Sequence, residues 1–180
     1  LEASGRCRTC DNVSKTLQHD HAAYLSHTLS QNQGLWLLAV GPDEEKIQAN
    51  VAAIGAEVSS RTRLLGFTDQ PERFMVAADI FALPSYREGF GSSVIEAAAC
   101  GVPSVCSRIY GLTDAVVDGV TGVLHSPANV MDIKKRLEQL LDPALRKRLG
   151  EAARNRAVNE FSQQRLTDGM LSFIESCLAR

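Results

Sequence analysis

The sequence lacks an excess of either charge. Its 180 residues contain 19 Lys and Arg against 21 Asp and Glu, which gives a formal net charge of −2. Nucleic-acid-binding proteins and basic membrane-surface modules depend on a positive surplus, so the balance argues against both classes. No hydrophobic run approaches the roughly 18–20 residues that a membrane-spanning helix needs, and no signal peptide is recognised. The sequence therefore predicts a cytoplasmic protein without a nucleic-acid partner.

Cysteine is sparse and odd in number. The five residues are Cys7, Cys10, Cys100, Cys106 and Cys177. Most of them lie inside apolar stretches, so we expect reduced thiols in a cytosolic protein rather than a disulfide framework. Cys100 and Cys106 in particular are predicted to be core residues.

One cysteine pair leaves a zinc site open as an alternative. Cys7 and Cys10 have the spacing of a zinc-binding pair, and His19, His21 and His27 follow them. The histidines lack the usual spacing of a second zinc-binding pair, so we favour ordinary thiols.

The amino-acid composition is that of a globular domain. Hydrophobic residues make up 44% and charged residues 22% of the chain, close to the average for folded proteins. A chain of this length is sufficient for one domain with its own core. The first residue is Leu1 rather than Met, which predicts a piece of a longer protein. Residues 1–34 show no regular periodicity, and we expect an irregular segment there.

From residue 35 onward, apolar runs alternate with helical patterns. The predicted strands are 35–40, 62–67, 80–84, 103–107 and 122–125. The predicted helices are 43–57, a segment with Asp69 as its N-cap, 93–100, 112–118, and three that begin at Asn129, Asp142 and Ser162. Because the connections are short, the strands can be joined only by crossover helices. The sequence predicts a Rossmann-like α/β fold, a doubly wound parallel sheet over 35–161 with a C-terminal helical tail over 162–180.

The segment between the third strand and the next helix carries the chemically interesting residues. In open parallel sheets, ligands bind outside the carboxyl ends of the strands. Gly89 and Gly91 permit close approach of the backbone, and the following helix start offers unpaired amides to a phosphate or a sugar hydroxyl. Glu88 and Glu96 supply two carboxylates, which can accept hydrogen bonds from the vicinal diols of a sugar or ribose.

A purely structural interpretation of the same residues stays open. Ser93 and Glu96 match a capping box, in which the Glu96 carboxylate would only bond back to the N-cap amide. A dinucleotide-binding glycine motif does not fit, because Val94 stands where a third small residue is required. The spacing of the two glutamates does not fix the separation that a glycosidase pair would need.

Two longer runs carry a resemblance to a known family. Residues 84–105 read PSYREGFGSSVIEAAACGVPSV, and residues 110–124 read YGLTDAVVDGVTGVL. Together they closely resemble the donor-binding domain of retaining glycosyltransferases with the GT-B fold, more specifically glycosyltransferase family 4. That family contains hexosyltransferases of bacterial surface polysaccharides. Its signature of two glutamates separated by seven residues corresponds to Glu88 and Glu96.

The resemblance implies roles for the residues of this loop. Glu88 would be the catalytic residue, in contact with hydroxyls of the transferred sugar near the reacting carbon. The implied donor-binding residues are Gly89, Phe90, Gly91, Ser92 and Glu96. The first three would cradle the sugar with their backbone amides, Ser92 would mark the helix start facing the diphosphate, and Glu96 would bind the ribose.

The resemblance also implies that half of the enzyme is missing. Residues 35–161 correspond to the C-terminal, nucleotide-sugar-binding domain of a two-domain enzyme, and residues 162–180 to the helix that crosses back to the N-terminal domain. That domain would bind the saccharide or lipid-linked acceptor, so we expect no sugar transfer by this chain alone. The family usually needs no metal, so we expect neither a metal nor a cofactor besides the nucleoside-diphosphate sugar.

One part of the family pattern matches poorly. The family holds the diphosphate with an Arg and a Lys just after the first strand of this domain. Lys15 is the nearest candidate for the lysine, and Arg6 or Arg8 for the arginine. The spacing is off, and the usual glycine after the lysine is absent.

Three further expectations concern surfaces. The clusters 134–136 and 146–148 are basic, which we interpret as solvated helix faces, with contact to anionic lipid at the inner face of the membrane as an alternative. His125 is predicted to be a surface residue. Residues 162–180 carry an apolar stripe without its usual cover, so this helix should either pack on its own domain or mediate self-association.

Two other functions stay open beside the leading one. The first is a non-catalytic nucleotide-sugar-binding or scaffold module of the same fold. The second is a sugar-nucleotide epimerase or a phosphorylase with the GT-B architecture.

Overall fold

A computed structural model describes residues 32, 34–41, 52–53 and 55–178. The described strands are β1 (Leu37–Val40), β2 (Thr62–Leu65), β3 (Phe81–Leu83), β4 (Ser104–Ser107) and β5 (Gly122–His125). The described helices are α1 (Ala56–Ser60), α2 (Pro71–Ala77), α3 (Ser92–Ala99), α4 (Leu112–Ala115), α5 (Val130–Gln139), α6 (Pro143–Glu160) and α7 (Gln163–Leu178). The predictions for Lys15, Arg6, Arg8 and the zinc alternative lie outside the described residues.

All described strand pairs are parallel. β1 pairs with β2, and β4 lies between β3 and β5 in a second hydrogen-bonded sheet. Helices connect the strands along the chain, as parallel pairing requires. The predicted Rossmann-like α/β fold with a C-terminal helix is confirmed. The strands are shorter than predicted by up to two residues at an end.

Strands β4 and β5 are covered on both faces. In β4 and β5 every residue is buried, and consecutive side chains point to opposite faces. Val105 and Val123 pack with Ala39 of β1 and with α5 in one apolar cluster. Their neighbours Cys106 and Leu124 belong to a second cluster with α3 and α4. This two-sided burial is why the strands are almost uninterrupted runs of apolar and small residues.

Two predicted helix ends are wrong in detail. The helix predicted over 43–57 lies mostly outside the described residues, and Gly55, with φ of 140°, is not helical. The next helix, α1, starts only at Ala56 and continues to Ser60. The N-cap of α2 is Gln70 rather than Asp69, with Pro71 at the first helical position. Proline favours that position because its missing N–H is not needed there.

The predicted starts of α5 and α6 are confirmed. The Asn129 side chain accepts a hydrogen bond from the Asp132 amide at 3.1 Å. The Asp142 carboxylate accepts one from the Ala144 amide at 2.9 Å. Each bond satisfies an amide that the first helical turn leaves unpaired.

Helix α6 packs closely on α3 through small side chains. Ala153 and Ala157 of α6 form a buried cluster with Ala98 of α3. Further toward the start of α6, Gly150 lies so close to the carbonyl oxygen of Gly101 that a Cβ at position 150 would overlap it. This close packing brings the far end of α6 to the loop that precedes α3.

The basic clusters are largely paired with acidic side chains. Lys134 lies 3.7 Å from Glu138, and Arg136 lies 3.5 Å from Asp132. Arg146 donates to the carbonyls of Leu140 and Leu141, each at 2.9 Å. Such pairing supports the interpretation as solvated helix faces. None of the described helices is long and apolar enough to cross a membrane.

Candidate functional site

The loop 84–91 leaves β3 at the carboxyl edge of the three-stranded sheet. β4 and β5 end beside it, and their last residues, Ser107 and His125, are paired in the register of the sheet. The loop leads directly into α3, whose first residue is Ser92. A loop at a sheet edge followed by a helix N-terminus is the location where parallel α/β proteins bind ligands.

Ser85 holds the Glu88 side chain in place. Its hydroxyl group donates a hydrogen bond to Glu88 Oε1 at 3.0 Å and lies 3.1 Å from the carbonyl oxygen of Arg87. Ser85 itself is buried, and its amide donates to the carbonyl of Leu83 at 3.0 Å. Because the Ser85 backbone is held and its hydroxyl binds one carboxylate oxygen of Glu88, the second oxygen of Glu88 has a defined direction. Sequence reasoning did not identify Ser85.

Gly91 forms the N-cap of α3 in a left-handed conformation, with φ of 75°. A Cβ at this position would lie 2.5 Å from Leu112 Cδ2, so the Leu112 side chain of the neighbouring helix α4 would have to shift. The amide of Val94 donates back to the Gly91 carbonyl at 2.9 Å. The tight turn directs the first amides of α3 toward the loop.

The capping-box alternative is wrong for its serine. Ser93 lies inside the first turn of α3 and is not its N-cap. The Ser93 hydroxyl group is fully buried and has no hydrogen-bond partner among the described residues. Ser92 and Glu96 are exposed on the same helix, Glu96 one turn after Ser92. The sequence match to a capping box therefore does not account for Glu96.

Gly111 locks the backbone of the loop from the other side. It has φ of 86°, and a Cβ there would lie 2.6 Å from the Gly89 carbonyl oxygen and 2.8 Å from that of Glu88. Gly89, in contrast, has open space around its Cβ direction. The loop is thus tightly packed at its contact with Gly111, whereas no atom of the described residues lies within 4 Å of a Cβ at Gly89.

The Phe90 ring packs against the C-terminal end of α6. It lies 5.6 Å from the ring of Phe161, the residue that ends α6. The Arg156 guanidinium lies 5.0 Å from the Phe161 ring centroid and donates to the carbonyls of Asp114 and Ala115, each at 2.8 Å. An open cavity of about 650 Å³ borders the two rings. Sequence reasoning identified Phe90 but neither of its two supports.

The negative charge of Glu88 affects the pKa of the Cys106 thiol near the end of β4. Burial raises the pKa of the Cys106 thiol well above its usual range, and the negative charge of Glu88 adds to the rise. At Cys100, burial again raises the pKa, with contributions from Glu72 and Glu96. Both thiols are therefore protonated at neutral pH and unreactive. Cys106 is a core residue as predicted, whereas Cys100 is half-buried.

The prediction for His125 is wrong. The side chain is fully buried at the end of β5. Nδ1 lies 2.9 Å from the Ser126 carbonyl oxygen, and Nε2 lies 3.4 Å from Ser107 Oγ. A neutral ring that donates through Nδ1 would accept from the Ser107 hydroxyl through Nε2. Paired strands bury this residue, although the turn that follows it appears polar in the sequence.

Two carboxylates stabilise the turns behind the site. Burial alone would raise the pKa of Asp118, but the hydrogen bond from the Leu124 amide and the ion pair with Arg108 lower it. The pKa of Asp132 is lowered chiefly by the hydrogen bond from the Ser126 amide, at 2.7 Å. Both groups are anionic at neutral pH and tie the ends of β4 and β5 to the following turns.

The described part of the site supplies carboxylates, backbone amides and a helix start. Glu88 and Glu96 can accept hydrogen bonds from hydroxyl groups, and the first-turn amides of α3 can bind an anion. Within residues 55–178, no group of three or more His, Cys, Asp or Glu side chains is arranged to hold a metal ion. This donor set suits a ligand with both hydroxyl groups and phosphates.

Comparisons with known proteins agree with this chemistry. The family of glycosyl transferases group 1 matches residues 13–156. The lipopolysaccharide core biosynthesis glycosyltransferase LpsE of Rhizobium meliloti is 29% identical over 153 residues, which are 84% of this chain and 45% of that protein. The chain spans less than half the length of the curated relatives that it matches.

Two solved structures share the fold. HepE of Anabaena, in complex with UDP, superposes with a TM-score of 0.81 at 20% identity, over 90% of this chain and 46% of that one. The C-terminal domain of LpcC, a group 1 family protein of Francisella tularensis, superposes with a TM-score of 0.73 at 16% identity. This second match covers 91% of the present chain and 96% of the other.

Proposed function

The chain belongs to the group 1 glycosyl transferases, and from that premise we propose that it is the donor-binding half of a retaining enzyme of glycosyltransferase family 4. It would bind a nucleoside-diphosphate sugar whose hexose is passed to a saccharide or lipid-linked acceptor. The observation that supports the proposal best is the arrangement of the loop 88–91, which joins the oriented Glu88 carboxylate to the start of α3.

Glu88 is proposed to be the catalytic residue on the sugar side. Its carboxylate is anchored by Ser85 at 3.0 Å, so it can bind sugar hydroxyls near the reacting carbon without reorganising. The amides of Gly89, Phe90 and Gly91 are proposed to cradle the same sugar. The space at Gly89 supports this assignment, because no atom of the described residues lies within 4 Å of a Cβ built at this position.

The nucleotide side is proposed to lie along α3. The start of this helix at Ser92 would face the diphosphate, whose negative charge the helix dipole and first-turn amides would offset. Glu96 is exposed one turn further, where its carboxylate can accept hydrogen bonds from both ribose hydroxyls. Lys15 is proposed as an additional diphosphate ligand. No metal is proposed, because the helix start itself supplies positive potential.

The acceptor is proposed to bind to another part of a longer protein. The extent of the chain matches that of an isolated C-terminal domain, the LpcC structure, and the relatives are about twice as long. LpsE acts in lipopolysaccharide core biosynthesis, which supports surface polysaccharide synthesis as the process. A cytoplasmic enzyme at the inner face of the membrane would meet such acceptors.

A panel of nucleotides tests the proposal on the 180-residue chain. Thermal unfolding is followed with UDP, GDP and ADP, and with UDP-glucose, GDP-mannose and ADP-glucose, each with and without EDTA. We expect one nucleoside diphosphate and its sugar to raise the melting temperature, with the same shift in EDTA. UDP is the first candidate, because HepE is solved with it.

Three outcomes would contradict parts of the proposal. No shift with any nucleotide would favour the scaffold alternative. Binding that EDTA abolishes and Mg²⁺ or Mn²⁺ restores would contradict the metal-independent mechanism. Release of free nucleotide from the sugar donor, with no acceptor and with formation of an epimerised sugar, would favour the epimerase alternative.

A further inference from the structure

The contacts of Phe90 concern the same loop, and the inference rests on the proposed function. Phe90 stands between two residues whose amides are proposed to cradle the sugar. Its ring is 42% exposed, yet one face is taken by Phe161, 5.6 Å away with an angle of 59° between the ring planes. Tilted aromatic pairs at this distance attract each other beyond the area that they bury.

Phe161 is itself held rigidly. It follows the last residue of α6, and its amide donates to the carbonyl of Ala157 at 3.1 Å. The Arg156 guanidinium lies over its ring, 5.0 Å from the centroid. Such an arrangement adds a cation–π attraction to the aromatic pair.

Arg156 connects this pair to the segment that packs against the loop. Its Nη1 and Nη2 atoms donate to the carbonyls of Ala115 and Asp114, and its Nε donates to Glu160, all at 2.8 Å. The two Nη donors bind the C-terminal end of α4, whose N-cap is Gly111. One side chain therefore spans the two structures that contact the loop, the end of α6 and the segment 111–115.

Among the described residues, no second aromatic pair holds the loop 88–91. Gly111 restrains the backbone of Glu88 and Gly89, and Leu112 restrains Gly91. Phe90 is the only residue of the loop 88–91 for which a ring contact is seen in the described part of the chain. A held Phe90 ring therefore adds to these backbone contacts, because it limits rotation of the peptide groups on both sides of it.

We propose that Phe161 and Arg156 are positioning residues of the donor site, which hold the Phe90 ring and thereby orient the amides of Gly89 and Gly91 toward the sugar. They do not touch the donor. Their effect falls on the sugar part of the ligand, because the nucleotide part is bound along α3, which α6 supports separately through Ala153 and Ala157.

The first experiment uses nuclear magnetic resonance of the ligand-free chain. The variants are Phe161→Ala, Phe161→Leu, Phe161→Tyr and Arg156→Ala, with Phe67→Ala and Arg148→Ala as exposed controls. We expect the amide signals of Gly89 and Gly91 to shift and their order parameters to fall in all but Phe161→Tyr and the controls. The signals of Gly119 and Gly169, which lie elsewhere, should stay unchanged.

The second experiment is calorimetry with the nucleoside diphosphate and the nucleotide sugar that the wild-type chain binds best. In Phe161→Leu we expect the affinity for the nucleoside diphosphate to stay within about twofold. The affinity for the nucleotide sugar should fall by about two- to tenfold, the worth of one aromatic pair. Phe161→Tyr, which keeps the ring, should restore it.

The outcomes separate the two proposals. Unchanged Gly89 and Gly91 signals in every variant would overturn the positioning role, and so would an equal loss of affinity for both ligands. If the wild-type chain binds no nucleotide, the proposed function fails. The magnetic resonance measurement still decides whether Phe161 and Arg156 position the loop.

Discussion

Gly111 lies directly against the backbone of Gly89. A Cβ at position 111 would lie 2.6 Å from the Gly89 carbonyl oxygen, and φ of 86° disfavours any side chain there. The contact joins two segments that are 22 residues apart in the numbering of the chain. It determines where the loop 88–91 can lie, and two glycine substitutions test its consequences.

We expect Gly111→Ala to destabilise the chain by about 1–3 kcal/mol, because backbone strain and overlap with the carbonyl act together. Urea unfolding followed by circular dichroism measures the loss. Gly169→Ala is the matched control, since this glycine lies in the middle of α7 with open space around it. That substitution should be neutral or stabilising by up to about 1 kcal/mol. Equal effects of the two substitutions would contradict the packing described for Gly111.

Gly89→Ala should behave in the opposite way. The protein leaves open space at its Cβ, so the stability of the chain should change by less than about 0.5 kcal/mol. If a sugar packs on this backbone, the added methyl group should lower the affinity for the nucleotide sugar by tenfold or more, on the order of 1.4 kcal/mol. Calorimetry with both ligands checks this, and an unchanged affinity for the nucleotide sugar would place the sugar elsewhere.

The two glutamates should have separable effects on binding. Glu96→Ala should lower the affinity for the nucleoside diphosphate by roughly 10- to 150-fold, because a charge-assisted contact of about 1.5–3 kcal/mol is lost. Glu88→Ala should leave the affinity for the nucleoside diphosphate nearly unchanged and lower the affinity for the nucleotide sugar. Glu151→Ala is the control, since its pairing with Lys147, 4.0 Å away, is highly exposed. Unchanged nucleotide affinity in Glu96→Ala would return this residue to a structural role.

Acid should weaken the chain partly through Asp132. Because the Ser126 amide lowers the folded pKa of this carboxyl, its contribution is full above the unfolded pKa of about 4 and is lost as the pH falls through the folded pKa. Asp132→Asn should cost about 1 kcal/mol at pH 7 and reduce the loss of stability below about pH 4. Asp118, with a lowered pKa of its own, keeps part of the acid sensitivity.

The apolar stripe of α7 should make the chain self-associate. Its side chains are exposed, with Leu166 at 62%, Met170 at 66% and Phe173 at 68%. Two copies packed antiparallel about Met170 would place Arg165 of each beside Glu175 of the other, which complements the charges. Sedimentation across a concentration range should show dimers that Met170→Ser with Phe173→Ser removes. Gln164→Ser, on the same helix, is the control, and a monomer at every concentration would contradict the prediction.

Much of the fold could be predicted from local pattern. The alternation of apolar runs and amphipathic segments is enough to indicate parallel strands joined by helices, because each strand must be covered on both faces. The caps at Asn129 and Asp142 were predictable for the same local reason, a side-chain oxygen followed by helical periodicity. The start of α3 was not, because Gly91, and not a serine, forms its N-cap when Leu112 packs against it.

The candidate site could likewise be predicted from the sequence only in part. Glu88, Glu96 and the glycines between them could be recognised from the sequence, because their residue types and order within nine positions carry the chemistry. Gly111, Arg156 and Phe161 act on the loop only through contacts made by the folded chain, from 20 or more positions away. His125 shows the same limit, since a polar residue before a turn becomes fully buried once β5 pairs with β4. Local sequence thus determined which groups are available for binding, and long-range packing decided how they are held, because distances between remote side chains arise only when the sheets and helices close on one another.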